Sequence, residues 1–320
     1  ENMLNISESI SFQDVLLIPK HNSYSGNIST EISINRGEIE YSFSQPLVPS
    51  NSFLITDVKM AISLITKNSL AIFHDGFEYY RLSYSEVAIK ANLLKSLREI
   101  RDICLNFINR PDFLKFLGFT VGVGAEDYDT VQELYNQGVR IFCVEHIVGD
   151  SDAVLAMVDF IRKLDNQNLI IAGNVVTGKA AKSLWITGAD IVKCGFGASS
   201  RDNTRENTGC GVPQLSALID CAAEKSRGQY LLSNGGVNTP GDVVKALCFA
   251  DFVMSQRLFE TSFEAPSSNA KFSVDSMITS ILKEVMVGCR MQNVANLRAL
   301  QEDVSMVRLT SSGILEGRLI

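Results

Sequence analysis

The sequence of 320 residues has no run of eighteen apolar residues, and no basic stretch followed by an apolar one near its start. Neither a membrane span nor a secretory signal is therefore expected. It lacks any run of lysine and arginine. The 36 acidic and 29 basic residues leave a net charge of -7, which argues against a general binder of nucleic-acid backbones, because such binding rests on clustered cations. No Cys-x-x-Cys pair occurs. The seven cysteines (Cys104, Cys143, Cys194, Cys210, Cys221, Cys248 and Cys289) are odd in number and mostly embedded in apolar runs, a pattern of reduced thiols in a cytoplasmic setting rather than of a disulfide frame. There are three histidines, and His74 and His146 have no metal partner at ligand spacing, so no zinc is expected. Solenoid repeats and low-complexity linkers are missing too, so a second domain is not required.

What is present is a chain able to bury a large core: 46% of residues are hydrophobic and 20% charged. After an opening segment, residues 1–46, which is polar, rich in serine and asparagine, and has room for a short hairpin, β-branched and apolar runs alternate with helical patterns. Eight strands are predicted: Leu47 to Ile55, Leu70 to Phe73, Phe119 to Val123, Arg140 to Glu145, Leu169 to Ala172, Asp190 to Cys194, Tyr230 to Ser233 and Asp251 to Met254. Between them, apolar residues recur at helical spacing, as in Val154, Met157, Val158 and Ile161. Gly138 and Gly188 sit where a helix would end and the next strand begin. Eight βα units predict a (β/α)8 barrel over residues 47–320, with C-terminal helices and a doubly wound sheet as the competing architecture. The stretch from Ser83 to Gly118 is long enough for more than one helix.

Ligands of such barrels bind at the C-terminal ends of the strands, so the loops there carry the functional information. After the sixth strand, Gly195, Gly197, Ser199 and Ser200 can bring amides and hydroxyls to an anion, or turn carbonyls toward a monovalent cation at Gly195 and Gly197. A Gly-rich surface loop is the plain alternative. After the seventh strand, Gly235 and Gly236 precede a helix expected to start near Gly241 or Asp242, a common arrangement for phosphate. After the fifth, Asn174 can present an amide to a ligand, or serve as a turn residue with Thr177 capping the next helix.

Several segments together resemble the IMP dehydrogenase and GMP reductase family: Ser11-Phe12-Gln13-Asp14-Val15-Leu16-Leu17-Ile18-Pro19-Lys20, Val121-Gly122-Val123-Gly124, Ala172-Gly173-Asn174-Val175-Val176-Thr177, Gly209-Cys210-Gly211-Val212-Pro213-Gln214 and Asn234-Gly235-Gly236. The likeness spans nearly the whole chain. The stretch after the second strand is too short for the regulatory insertion usual in the dehydrogenases, so the chain is most similar to GMP reductase. The resemblance implies a purine nucleotide as ligand, NADPH as a cofactor candidate, and assembly as a homo-oligomer (tetramer) or a hetero-oligomer with a family enzyme.

The departures are as informative. Where the family has Ser, any residue, Cys, Thr, Thr, Arg, this chain has Ser200, Arg201, Asp202, Asn203, Thr204 and Arg205, so Asp202 stands in place of the nucleophilic cysteine. A carboxylate is a weaker nucleophile than a thiolate and sets negative charge beside the purine. Cys194 and Cys210 read as packing thiols rather than replacements. Asn234 replaces a ribose-gripping aspartate, Glu145 the aspartate after strand four, and Ser52 and Phe53 a Met-Asp pair. The lysine after strand two is missing beside His74, and the segment after Ser255 is too short for the family's flap. What the resemblance then implies is a nucleotide-binding homologue without the thiol chemistry, acting as sensor or partner subunit. Gly197, Ser200, Gly235, Gly236 and Ser255 would hold the phosphate, with Asn234 near the ribose and Asn174 near the base. The alternatives are a reductase or deaminase in which Asp202, Thr204 or Glu145 handles protons, and a purely structural subunit.

Overall fold

The computed structural model describes residues 6–74, 86–198, 204–266 and 271–317. The opening segment holds a short strand, β1 (Val15–Leu17), and a hairpin of β2 (Ile32–Arg36) and β3 (Ile39–Phe43) turning at Gly37. The eight barrel strands follow: β4 (Leu47–Pro49), β5 (Ala71–Phe73), β6 (Leu117–Val121), β7 (Ile141–Glu145), β8 (Leu169–Val175), β9 (Ile191–Cys194), β10 (Tyr230–Asn234) and β11 (Phe252–Ser255). They form one parallel sheet in the order β4-β11-β10-β9-β8-β7-β6-β5, which brings β4 round to pack beside β5. The (β/α)8 barrel is thus the observed architecture.

The helices are α1 (Val58–Thr66), α2 (Glu86–Asn106), α3 (Ala125–Asn136), α4 (Asp152–Leu164), α5 (Gly178–Thr187), α6 (Thr204–Thr208), α7 (Gln214–Ala223), α8 (Pro240–Leu247), α9 (Val274–Met291) and α10 (Ser311–Glu316), with a last strand β12 (Met306–Arg308). In α4, Val154, Met157, Val158 and Ile161 are buried, as their spacing predicts, and the Ser151 hydroxyl caps the first turn by accepting from the Val154 amide at 3.4 Å. Gly188 ends α5 with φ +124°, a conformation glycine reaches without a Cβ clash. No helix among the described residues is long and apolar enough to cross a membrane.

Some boundaries differ from expectation. The first strand stops at Pro49 instead of Ile55: proline has no amide to continue a ladder, and the chain turns as the Ile55 and Thr56 amides both donate to the Ser52 carbonyl. The third strand is displaced two residues toward the N-terminus, because Gly122 to Gly124 lead into α3, whose N-cap is Gly124. The fifth strand runs on through Asn174 to Val175, so Asn174 belongs to a strand end rather than a loop. The long second unit carries one 21-residue helix, α2, and a single short turn at Phe113–Lys115 in its described part.

The two ends of the barrel are treated differently. At the N-terminal end the hairpin folds across the opening. Arg36 pairs with Asp190 at 3.1 Å, the Tyr41 hydroxyl donates to the Gln167 carbonyl at 3.0 Å, and the Tyr230 hydroxyl donates to the Ser33 carbonyl at 3.1 Å. Phe43 enters the core edge-on to Phe252, with centroids 5.7 Å apart. The C-terminal end is left to the loops.

Candidate functional site

Two glycine turns meet at the C-terminal ends of β9 and β10. Gly195 has to be glycine, because a Cβ there would lie 1.9 Å from the Asn234 carbonyl oxygen. Gly197 and Gly236 adopt φ +66° and +73°, and a Cβ on Gly236 would press on Gln214 at 2.9 Å. Gln214, buried at the start of α7, ties the two strand ends: its amide nitrogen donates to the Cys194 carbonyl at 2.8 Å and the Ser233 hydroxyl at 3.1 Å. Its Oε1 is buried with no hydrogen-bond partner among the described residues.

The amides of Gly197 and Ala198 in one turn, and of Gly235, Gly236 and Val237 in the other, donate to no acceptor among the described residues. Backbone N–H groups left free at neighbouring turns can form an anion-binding concavity. The N-terminus of α8 contributes less than its position predicts. Thr239 caps it, and the Asp242 carboxylate already accepts from the Asn238 and Thr239 amides at 3.0 and 3.1 Å. The cationic neighbour is Arg205 on α6, whose side chain lies over Gly197 and Gly211 and has no acidic partner among the described residues.

The other expected site residues fall around this cradle. Asn234 donates to the Asn174 side-chain oxygen at 3.4 Å, so the two asparagines face one another. The backbone of Asn174 is crossed by the loop after β7, where a Cβ on Gly149 would lie 2.0 Å from the Asn174 carbonyl oxygen. Ser255 is buried, and its hydroxyl donates to the Val237 carbonyl at 3.0 Å and accepts from the Leu258 amide at 3.2 Å; it therefore braces the β10–α8 turn. Thr204 opens α6, and its carbonyl accepts from the Thr208 hydroxyl at 2.6 Å. Ser200 and Asp202 lie outside the described residues, as does Ser199.

Glu145 is the end residue of β7, and its carboxylate is taken up internally. It pairs with Lys193 of β9, a lysine only 2% exposed, and also accepts from the Asn51 amide. Lys193 donates to the Asn51 oxygen at 2.9 Å, and Asn51 donates to the Thr120 hydroxyl of β6 at 2.9 Å. Four residues from four strand ends thus span the upper interior of the barrel. The sequence reading gave no role to Lys193, Asn51, Thr120 or Gln214. The available signals were a lysine inside the apolar run Ile191-Val192-Lys193-Cys194 and a glutamine directly after Pro213.

His74 stacks on Phe73 with centroids 5.1 Å apart and meets Phe53 edge-on at 6.3 Å, and burial pushes its pKa down to about 4. The mouth beside β5 therefore presents a neutral aromatic wall. His146 is half-buried and turned to its own loop, accepting from the Val148 amide at 3.1 Å. Cys194 is buried, its thiol held protonated by the hydrogen bond with Cys221 and by burial. Cys210, expected to pack, is instead exposed, because it lies in the open turn that joins α6 to α7. Thr177 caps α5 by accepting from Ala180 at 3.3 Å.

The chain matches the IMP dehydrogenase / GMP reductase domain over residues 9–273. It is 31% identical over 253 residues to GMP reductase 2 of Homo sapiens, covering 77% of this chain and 66% of that protein. With GMP reductase of Klebsiella pneumoniae it shares 31% over 258 residues, or 77% and 67% of the two chains. This chain thus spans about two thirds of the length of these relatives. A crystal structure of GMP reductase from Trypanosoma brucei shares the fold, with a TM-score of 0.78 at 19% identity over 97% of this chain and 98% of that one.

Proposed function

Because the chain belongs to the IMP dehydrogenase and GMP reductase family, we propose that it binds a purine nucleotide at the barrel mouth and does not run a thiol-dependent hydride transfer. The observation that carries this reading is the pair of glycine turns in which the Gly197, Ala198, Gly235 and Gly236 amides donate to no acceptor among the described residues. A nucleotide phosphate would sit on Gly197, Ala198, Gly235 and Gly236, with Arg205 supplying a positive charge and Ser200 a hydroxyl. Asn234 would then reach the ribose, and Asn174 the base. The Gln214 Oε1 beside Gly195, without a partner among the described residues, fits a hydrogen-bond donor or a monovalent cation held with the carbonyls of Gly195 and Gly197.

Loss of the family chemistry rests on Asp202 at the nucleophile position by resemblance. It is supported by two features of the mouth. Glu145 is committed to Lys193 and Asn51, which leaves it poorly placed to act as a free base, and the wall beside β5 is aromatic where the reductases have a lysine. The protein would act as a nucleotide sensor or as a subunit of a homo- or hetero-oligomer, and NADPH is the cofactor to test against it.

Calorimetric titration with GMP, IMP and AMP at physiological salt tests the proposal. Binding of one of them is expected, weakened about tenfold or more in Asn234→Ala, since a hydrogen bond to a bound ligand is worth roughly one factor of ten. No binding by any of the three removes the proposal. Steady turnover with NADPH that is abolished by Asp202→Ala would replace it with an active enzyme of altered mechanism.

A further inference from the structure

The opposite end of the barrel holds a cavity of about 490 Å³ between the hairpin, the loops entering β10 and β11, and the turn at Arg298–Gln301. A volume of this order suits a small metabolite. Its floor is electrically settled: Lys225 donates to Asp251 at 2.9 Å and to Gln301 at 2.7 Å, and Asp251 also accepts from the Leu231 amide at 2.8 Å. The rim is not. Arg227 and Arg298 both line the cavity, and neither guanidinium has a hydrogen-bond or ion-pair partner among the described residues. The one acid on the rim, Glu31, accepts from the Ser42 hydroxyl.

Two unpaired guanidiniums at one concavity are unexpected in a chain of net charge -7, where acidic partners are in excess. The turn that carries Arg227 adds to the arrangement. The Gln229 amide closes it on the Ser226 carbonyl at 3.1 Å, and the Arg227 and Gly228 amides between them donate to no acceptor among the described residues. Gly228 has φ +83° with open space where a Cβ would be, so the backbone there is uncovered. Tyr230 contributes a half-buried ring whose hydroxyl is fixed on Ser33, and Arg298 is near enough to oppose the rise that burial imposes on that phenol.

We propose that this cavity is a second ligand site, separate from the barrel mouth, and that it takes a small organic phosphate. The forked guanidiniums of Arg227 and Arg298, with the free turn amides, hold the phosphate, and the body of the ligand lies in the cavity against Tyr230. The site is built at the N-terminal ends of β10 and β11, so it neither uses nor depends on the glycine turns at the other end of those strands.

Calorimetry with ribose 5-phosphate as the probe tests the assignment. Binding to the unaltered protein is expected, falling about a hundredfold in the double variant Arg227→Gln/Arg298→Gln, because each of the two lost charge-assisted bonds is worth about tenfold. The double variant Arg227→Lys/Arg298→Lys keeps charge without the fork and should fall between the two. Gly236→Ala, which disturbs the mouth, should leave the affinity unchanged. Because both arginines are exposed and unpaired, the melting temperature without probe should not move in either double variant. Affinity undiminished by the Gln pair, affinity lost only in Gly236→Ala, or no heat at millimolar probe each overturns the proposal.

Discussion

Lys193 carries its charge into the barrel at the cost of its hydration, and Glu145 and Asn51 help to compensate it. A buried pair of this kind adds little net stability, but removing one partner strands the other. Lys193→Ala is therefore expected to cost about 3–5 kcal/mol in urea unfolding, and the double variant Lys193→Met/Glu145→Gln should recover much of that loss. Equal destabilisation in the two would mean that Glu145 is not the group being compensated. His74 makes a different claim at the same scale. Its pKa in the folded protein is about 4 against 6.5 for the free side chain, so the unfolded chain takes up the proton first as pH falls. Stability should hold above about pH 6.5 and decline by up to about 3 kcal/mol toward pH 4, at about 1.4 kcal/mol per pH unit. His74→Phe should flatten that part of the stability-versus-pH curve, which denaturant titrations at several pH values would read directly.

At the scale of elements, the turns differ in what holds them. Gly236 and Gly228 both have positive φ, but a Cβ at Gly236 meets Gln214 whereas one at Gly228 meets nothing. Alanine at Gly228 should cost about 1 kcal/mol of backbone strain alone. Alanine at Gly236 should cost more, about 2–3 kcal/mol, by adding the displacement of Gln214 from its two strand ends. Similar melting temperatures for the two variants would refute the close-approach argument. The same elements show what the sequence could reveal. The strands were legible as short apolar runs buried on both faces, α4 because its buried positions repeat at the helical period, and the glycine turns because only glycine suits them. The strand limits at Pro49 and Val175 were not, since hydrogen-bond register and the local irregularity between Gly173 and Val175 decide them. Neither was the lattice of Asn51, Thr120, Glu145 and Lys193, whose members lie up to 142 residues apart and meet only once the barrel curls round. Ser255 was placed in the right loop region but is now seen bracing Val237, a distinction between holding a ligand and holding a turn that no motif encodes.

For the whole molecule, the hairpin fastens the N-terminal end through Asp190, which is buried and accepts from Arg162 at 2.7 Å and the Ile170 amide at 2.8 Å while pairing with Arg36. Asp190→Ala leaves two cations without a counter-charge, and a loss of about 3–5 kcal/mol is expected. Hydrogen exchange should show where it goes: amides of β2 and β3 should lose protection, whereas those of α3 and α8 should not exceed the global loss. Uniform loss across all elements would mean that the hairpin is not a separable cover.

The sheet order has a further consequence. Each of the seven other boundaries between neighbouring barrel strands is stitched by backbone bonds, whereas β4 and β5 lie side by side without a ladder among the described residues. The wall is then a split ring, sprung along one line, and the line runs up to Asn51 on one lip and His74 on the other. Any breathing that admits a bulky guest should start at that slit, where parting the lips breaks side-chain packing but no ladder.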